Sequence, residues 1–245
     1  GEVALEVEHF CSKNIFDDIN FYVKKGEIVG FAGLVGAGRT ETMRAVYGLD
    51  PHDSGTVKVN GKEVNVKDPR TSIDNGVIMR SEDGRENGLI PVRSVMENAS
   101  IANLKEYIYG GYAHHGKERE EVEKYFKKMN VKTPSLETPI SSLSGGNAQK
   151  VLLSRWMICQ PEVMILDEPT RGIDVGAKFE IYKLMTEIVK EDKAIVMVSS
   201  EMAELIGMCD RIYVMCQGRI TGCLTREEFS QERIMMCATG LMESQ

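Results

Sequence analysis

Glu27-Ile-Val-Gly-Phe-Ala-Gly33-Leu-Val-Gly36-Ala-Gly38-Arg39-Thr40 is the stretch whose reading decides the fold class. Its apolar run reads as a buried strand, and the strand enters a glycine loop that opens onto residues of helical spacing at 40–47. Glycines at such a junction let backbone N–H groups close around phosphate oxygens, and the amino end of the following helix adds a favourable dipole. The spacing matches G-x4-G-K-[ST], with Arg39 in the lysine position and Thr40 supplying a hydroxyl suited to Mg²⁺. A guanidinium keeps the positive charge but is wider, planar and forked, so phosphate binding survives while placement of a terminal phosphate is altered. Read alone, the stretch also fits a strand-to-helix turn that holds no ligand.

Working outward, residues 3–8 and 19–23 alternate apolar and polar, as half-buried strands do, and 56–66 reads as a hairpin around Asn60-Gly61. Residues 92–104, 117–129 and 147–158 carry helical periodicity, with a break at Gly110-Gly111. Beyond them, strands over 162–167, 194–199, 211–216 and 219–224 alternate with helices over 178–189, 201–209 and 226–239. Such alternation predicts an α/β fold: a parallel core sheet covered on both faces, with an antiparallel β subdomain near the amino end. A helical subdomain over about 92–158 is inserted into that core.

Two further runs carry chemistry. Val163-Met-Ile-Leu-Asp167-Glu168 is an apolar strand ending in two carboxylates. Behind a phosphate loop, the first acid supports Mg²⁺ and the second polarises an attacking water; in isolation such a pair is commonly a solvated turn. Leu143-Ser144-Gly145-Gly146-Asn147-Ala-Gln-Lys150 places a serine and two glycines ahead of a helix, an anion-receiving start. Ser144 fits equally an ordinary helix cap.

Bulk properties narrow the function classes. The 245 residues suit one sizeable α/β domain, and a net charge of -7 argues against a dedicated nucleic-acid binder. The six cysteines lack CxxC spacing and read as reduced, mostly buried thiols, and no apolar run approaches a membrane span. The opening Gly1-Glu2 resembles neither a signal nor a transit peptide.

The order of these motifs resembles that of ATP-binding cassette (ABC) proteins over essentially the whole chain. The most specific match is Leu143-Ser-Gly-Gly-Asn147, upstream of Leu166-Asp-Glu-Pro-Thr170. Within the family the chain is similar to the second cassette of two-cassette monosaccharide importers of the ribose and galactose/methyl-galactoside kind. The runs 33–40, 81–83, 143–147, 167–178 and 199–202 carry that similarity. The resemblance implies a P-loop NTPase fold, ATP and Mg²⁺ as cofactors, and a chain roughly half the native length.

Residue by residue, it places Phe10 under adenine, where a core phenylalanine is the other reading. Gly33, Gly36, Gly38, Arg39, Thr40 and Glu41 fall at the nucleotide, Thr40 and Asp167 at the metal, and Glu168 at the general base. Ser144, Gly145 and Gly146 form the signature, and Asp174 matches the aspartate that communicates across a cassette dimer. Three positions depart from the family: Arg39 for lysine, Glu82 for the Q-loop glutamine and Ser200 for the switch histidine.

The implied consequence is an asymmetric pair, in which this signature completes the site of a first cassette while its own site binds nucleotide but hydrolyses poorly. The implied partners are that first cassette, transmembrane permease subunits at the cytoplasmic face of the membrane and, indirectly, a sugar-binding protein; no nucleic acid is among them. The permease contact is expected between residues 82 and 97 and on the helical subdomain, where Arg80, Arg85 and Arg93 fit equally plain solvated charges. A non-catalytic regulatory module is the alternative. A soluble cassette ATPase acting on DNA or ribosomes is disfavoured by the acidic balance and the lack of long heptads.

Overall fold

A computed structural model describes residues 1–80 and 88–241. The chain begins β1 (Val3–Ser12), β2 (Phe16–Lys24), β3 (Ile28–Gly33), α1 (Arg39–Tyr47), β4 (Ser54–Val59), β5 (Lys62–Val64), α2 (Pro69–Asp74) and β6 (Val77–Arg80). It continues through α3 (Val95–Ser100), β7 (Ile108–Tyr109), β8 (Tyr112–Ala113), α4 (His115–Lys128) and α5 (Gly145–Ile158). It ends with β9 (Val163–Asp167), α6 (Val175–Val189), β10 (Ala194–Val198), α7 (Met202–Met208), β11 (Arg211–Cys216), β12 (Arg219–Thr225) and α8 (Gln231–Ala238). Two compact units result: Gly1–Ser81, Glu162–Pro169 and Met185–Gln245 form one, Glu82–Pro161 and Thr170–Leu184 the other.

The first unit holds both large sheets. One is antiparallel, in the order β2-β1-β4-β5. The other runs β12-β11-β3-β10-β9-β6, parallel from β11 to β6 with β12 antiparallel at the edge. Strands β9 and β10 are buried at every residue and β3 at all but Gly33, which explains their unbroken apolar sequences. Register fixes the functional edge. Val198 pairs with Phe31 on one side and Asp167 on the other, so the carboxyl ends of β3, β10 and β9 finish level.

Periodicity fails at one instructive place. Strict alternation in β1 would put Phe10 on the face of Glu6 and Glu8. His9 instead takes a left-handed backbone, φ 50°, within a register shift between Val7 and Phe10. This bulge turns Phe10 inward, where it is fully buried among core residues such as Leu5, Ile19 and Phe31.

The second unit packs α3 and α4 against α5, which is buried through most of its length. The helix expected over 92–104 is split. A capping box of Ser94 and Glu97 opens α3, a 3₁₀ segment follows at Ile101–Glu106, and Asn103 departs from helical angles. Gly110-Gly111, expected only as a break, turns the β7–β8 hairpin. In the first unit, the helix expected over 226–239 is likewise interrupted, because Ser230 caps α8 separately. None of the six cysteines is paired. Only Cys209 and Cys237 are buried, so the expectation of mostly buried thiols is corrected.

Candidate functional site

At the carboxyl edge of the parallel sheet, β3 delivers the glycine loop to α1. A Cβ on Gly33 would lie 2.6 Å from the Met215 carbonyl oxygen, so the loop leaves the strand closer to its neighbour than any side chain allows. Gly38 caps α1 at φ 93° with no side-chain cap, so among the described residues the first helical amides stay available to an anion. Gly36 and Val35 are exposed at the tip, Thr40 is half-buried, and Glu41 is exposed. Arg39 reaches across the edge, and its Nη1 donates to the Ser199 carbonyl at 2.8 Å. Burial lowers its pKa, and the neighbouring Glu168 and Asp167 oppose that shift.

The acid pair lies beside it. Asp167 is fully buried, and neither carboxylate oxygen has a hydrogen-bond partner of ordinary geometry among the described residues. Its pKa is pushed up to about 6, by burial above all and with Glu168 adding to it, against the pull of the nearby Thr40 hydroxyl, Arg39 and Arg80. A buried, unpartnered carboxylate beside a hydroxyl and a phosphate loop fits Mg²⁺, which takes oxygen ligands and is commonly held by one or two carboxylates plus phosphate. Glu168 follows with a left-handed backbone, φ 49°, and its Oε1 accepts the Ser200 N–H at 2.7 Å. That contact uses the main chain of Ser200.

Two expectations change on this edge. Phe10 does not present a ring to a nucleotide: it is 0 % exposed, stacked on Phe16 at 5.6 Å and tilted against His52 at 4.5 Å. An exposed apolar residue beside the loop is Ile15, whose carbonyl oxygen lies 3.4 Å from where a Cβ of Gly38 would stand. Its signal in the sequence, one isoleucine in a polar turn, was too weak to single out. Arg80 is no solvated charge; it is 3 % exposed and donates to the carbonyls of Asp167 and Glu168. Arg93 does pair on the surface, with Glu97 at 2.7 Å. Glu82 and Arg85 lie outside the described residues.

The remaining predicted groups belong to the second unit. Ser144 takes the N-cap conformation of α5, yet its hydroxyl accepts from Asn147 Nδ2 at 3.1 Å and caps no helix amide. Gly146 sits so close to α6 that a Cβ would lie 3.0 Å from the Ala177 Cβ. Asp174 is exposed, and its Oδ1 accepts the Ala177 N–H at 3.0 Å at the start of α6. Ser144, Gly146, Asn147 and Asp174 share the lining of a 280 Å³ recess with Lys150, which is ion-paired to Glu180.

Comparison with known proteins bears on this geometry. A family model described as ABC transporter matches residues 16–171. A putative ribose/galactose/methyl galactoside import ATP-binding protein of Halalkalibacterium halodurans is 48% identical over 240 residues, covering 98% of this chain and 46% of that protein. The galactose/methyl galactoside import ATP-binding protein MglA of Clostridium tetani is 47% identical over 242 residues, covering 98% and 48%. The ribose import ATP-binding protein RbsA of Bacillus licheniformis is 47% identical over 240 residues, covering 98% and 49%. The chain thus spans about half the length of the curated relatives it matches. Among solved structures, a nucleotide-free ATP-binding cassette from an ABC transporter superposes with a TM-score of 0.80 at 18% identity, covering 96% of this chain and 98% of that one. A cassette of a Clostridium perfringens ABC transporter complex gives 0.77 at 23% identity, covering 98% and 96%. These likenesses establish the fold.

Proposed function

The chain belongs to the ABC transporter family, and from that premise we propose that it is the ATP-handling domain of a monosaccharide importer of the ribose or galactose type. It binds Mg-ATP at its own phosphate loop and hydrolyses it slowly. The observation that carries the reading is the buried Asp167 carboxylate, unpartnered among the described residues, close to Thr40 and Arg39 with Glu168 next in the chain. The amides at the start of α1 would receive phosphate oxygens, Thr40 and Asp167 would hold Mg²⁺, which would neutralise phosphate charge, and Glu168 would take the proton of the attacking water. The slow rate is argued from Arg39, whose guanidinium is bonded to the Ser199 carbonyl, and from Ser200, which meets Glu168 through its amide and has no imidazole to offer the γ-phosphate.

The proposal extends to partners. A first cassette supplies the other half of a two-site dimer, and the Ser144–Gly146 helix start completes that cassette's ATP site. Asp174 communicates across the pair. Permease subunits carry the sugar, delivered by a binding protein, so the chain works at the cytoplasmic face of the membrane. No helix among the described residues is long and apolar enough to cross the membrane itself. Purified chain should bind Mg-ATP with little steady-state ATPase. Brisk, saturable turnover that Glu168→Gln abolishes would overturn the slow-site reading. The Arg39–Ser199 bond favours one second reading, a regulatory nucleotide site without catalysis; hydrolysis that depends on Glu168 in the whole transporter excludes it.

A further inference from the structure

Arg80 closes β6 with 3 % of its surface exposed. An arginine is seldom so buried unless its donors are engaged. β6 pairs in parallel with β9, placing Arg80 in register with Leu166, and its guanidinium reaches one and two residues past that point. There Nη1 donates to the main-chain oxygens of Asp167 at 3.2 Å and Glu168 at 2.9 Å. These are the carbonyls of the acid pair itself.

Glu168 needs such support. Its φ of 49° is a left-handed conformation that non-glycine residues keep only when their surroundings hold them there. Three bonds do so: its N–H donates to the Val198 carbonyl at 2.9 Å, its carbonyl accepts from Arg80, and its Oε1 accepts from the Ser200 amide. The turn behind Ser200 is itself braced. Ser199 accepts from Arg39 through its carbonyl, donates its hydroxyl to Glu204 at 3.0 Å, and accepts the Glu201 N–H at 3.1 Å.

We infer that Arg80 is a positioning residue for the hydrolytic step, pinning the Glu168 peptide so that its carboxylate is held in one orientation at the loop edge. This rests on the reading of Glu168 as general base. Arg80 bonds the main-chain oxygens of the two acids and acts through their backbone. Geometric misplacement of this kind is felt in the rate before it is felt in binding.

Single-turnover hydrolysis with protein in excess over radiolabelled Mg-ATP reads slow sites as well as fast ones, and is run on the chain and on its whole transporter. Arg80→Met should lower the rate constant about 10- to 100-fold while equilibrium ATP affinity stays within about twofold. Arg80→Lys should recover part of the loss, because an ammonium still reaches the two carbonyls. In a Glu168→Gln background Arg80→Met should cost nothing further. An unchanged rate, an equal loss in that background, or a loss wholly explained by weaker ATP binding overturns the assignment. Where Arg80→Met fails to fold by circular dichroism, Arg80→Lys together with Arg80→Gln decides: wild-type rates in both overturn it. A different result, wild-type hydrolysis that is absent in both settings or undiminished by Glu168→Gln, overturns instead the reading of Glu168 as base.

Discussion

Asp167 is charged where the described residues give it no hydrogen bond of ordinary geometry, and that sets a pH dependence. Burial pushes its acid up to about 6, against roughly 3.9 in an unfolded chain. Below about pH 4 the group is protonated in both states and costs nothing. As pH rises through 4 to 6 the unfolded chain releases its proton first, so stability falls; above that window the full penalty, about 2–3 kcal/mol, is present. Asp167→Asn should therefore stabilise the nucleotide-free chain by about 1–3 kcal/mol at pH 7 and hardly at all at pH 4. It should also remove the Mg²⁺ enhancement of ATP binding. Urea unfolding at the two pH values checks the first claim, and a variant less stable than wild type at pH 7 contradicts it. At this scale the sequence was partly readable. Thr40, Asp167 and Glu168 announce themselves through spacing behind a phosphate loop, whereas Phe10 misleads because a single left-handed His9 reverses the alternation that would expose it.

At the scale of elements, buried strands were the most legible, since full burial leaves an apolar run that no surface element shows. Helix ends were less so. The periodicity of 92–104 persists past the point where the helix stops, and it says nothing of the tertiary bonds that hold α3. Asn98, fully buried in α3, accepts the Ile90 N–H at 2.8 Å and donates to the carbonyls of Ile90, Arg93 and Ser94 at 3.0–3.3 Å. Arg155 of α5, 6 % exposed, donates Nε to the Asn98 carbonyl at 2.6 Å. One amide thus ties the approach to α3, and one guanidinium ties α3 to α5. Neither role has a sequence signature, because an asparagine in a helical pattern is ordinarily a neutral surface residue. Asn98→Ala removes the side-chain acceptor of the Ile90 N–H and one of the donors to each of three carbonyls, and should cost about 1–3 kcal/mol in chemical denaturation. Asn98→Asp should be worse, since it replaces two donors with a buried charge. An alanine variant within about 0.5 kcal/mol of wild type, the range of ordinary surface changes, would show that the bonds add little.

Across the whole molecule, the chemistry is divided between the two compact units. The glycine loop, the acid pair and the Ser199–Ser200 turn belong to the first unit, and Ser144–Gly146 with Asp174 to the second. If the chain's own loop binds nucleotide while its signature serves another cassette, one ligand must leave the two sets of amides in different states. Mg-ATP at about 100 times its Kd stabilises the form that binds it by about 2.7 kcal/mol, which is about 100-fold slower amide exchange for groups that open only by unfolding the site. In the dilute chain that slowing is expected over residues 33–40 and 163–168, and it should weaken without Mg²⁺ because Asp167 then lacks its cation. Residues 144–147 should exchange at the nucleotide-free rate until a cassette carrying its own loaded phosphate loop is added, whereupon they too should slow. Protection of 144–147 by Mg-ATP in the chain alone, unchanged on tenfold dilution and so not due to self-association, would mean that the signature does not wait for a partner and that the proposed division of labour is wrong.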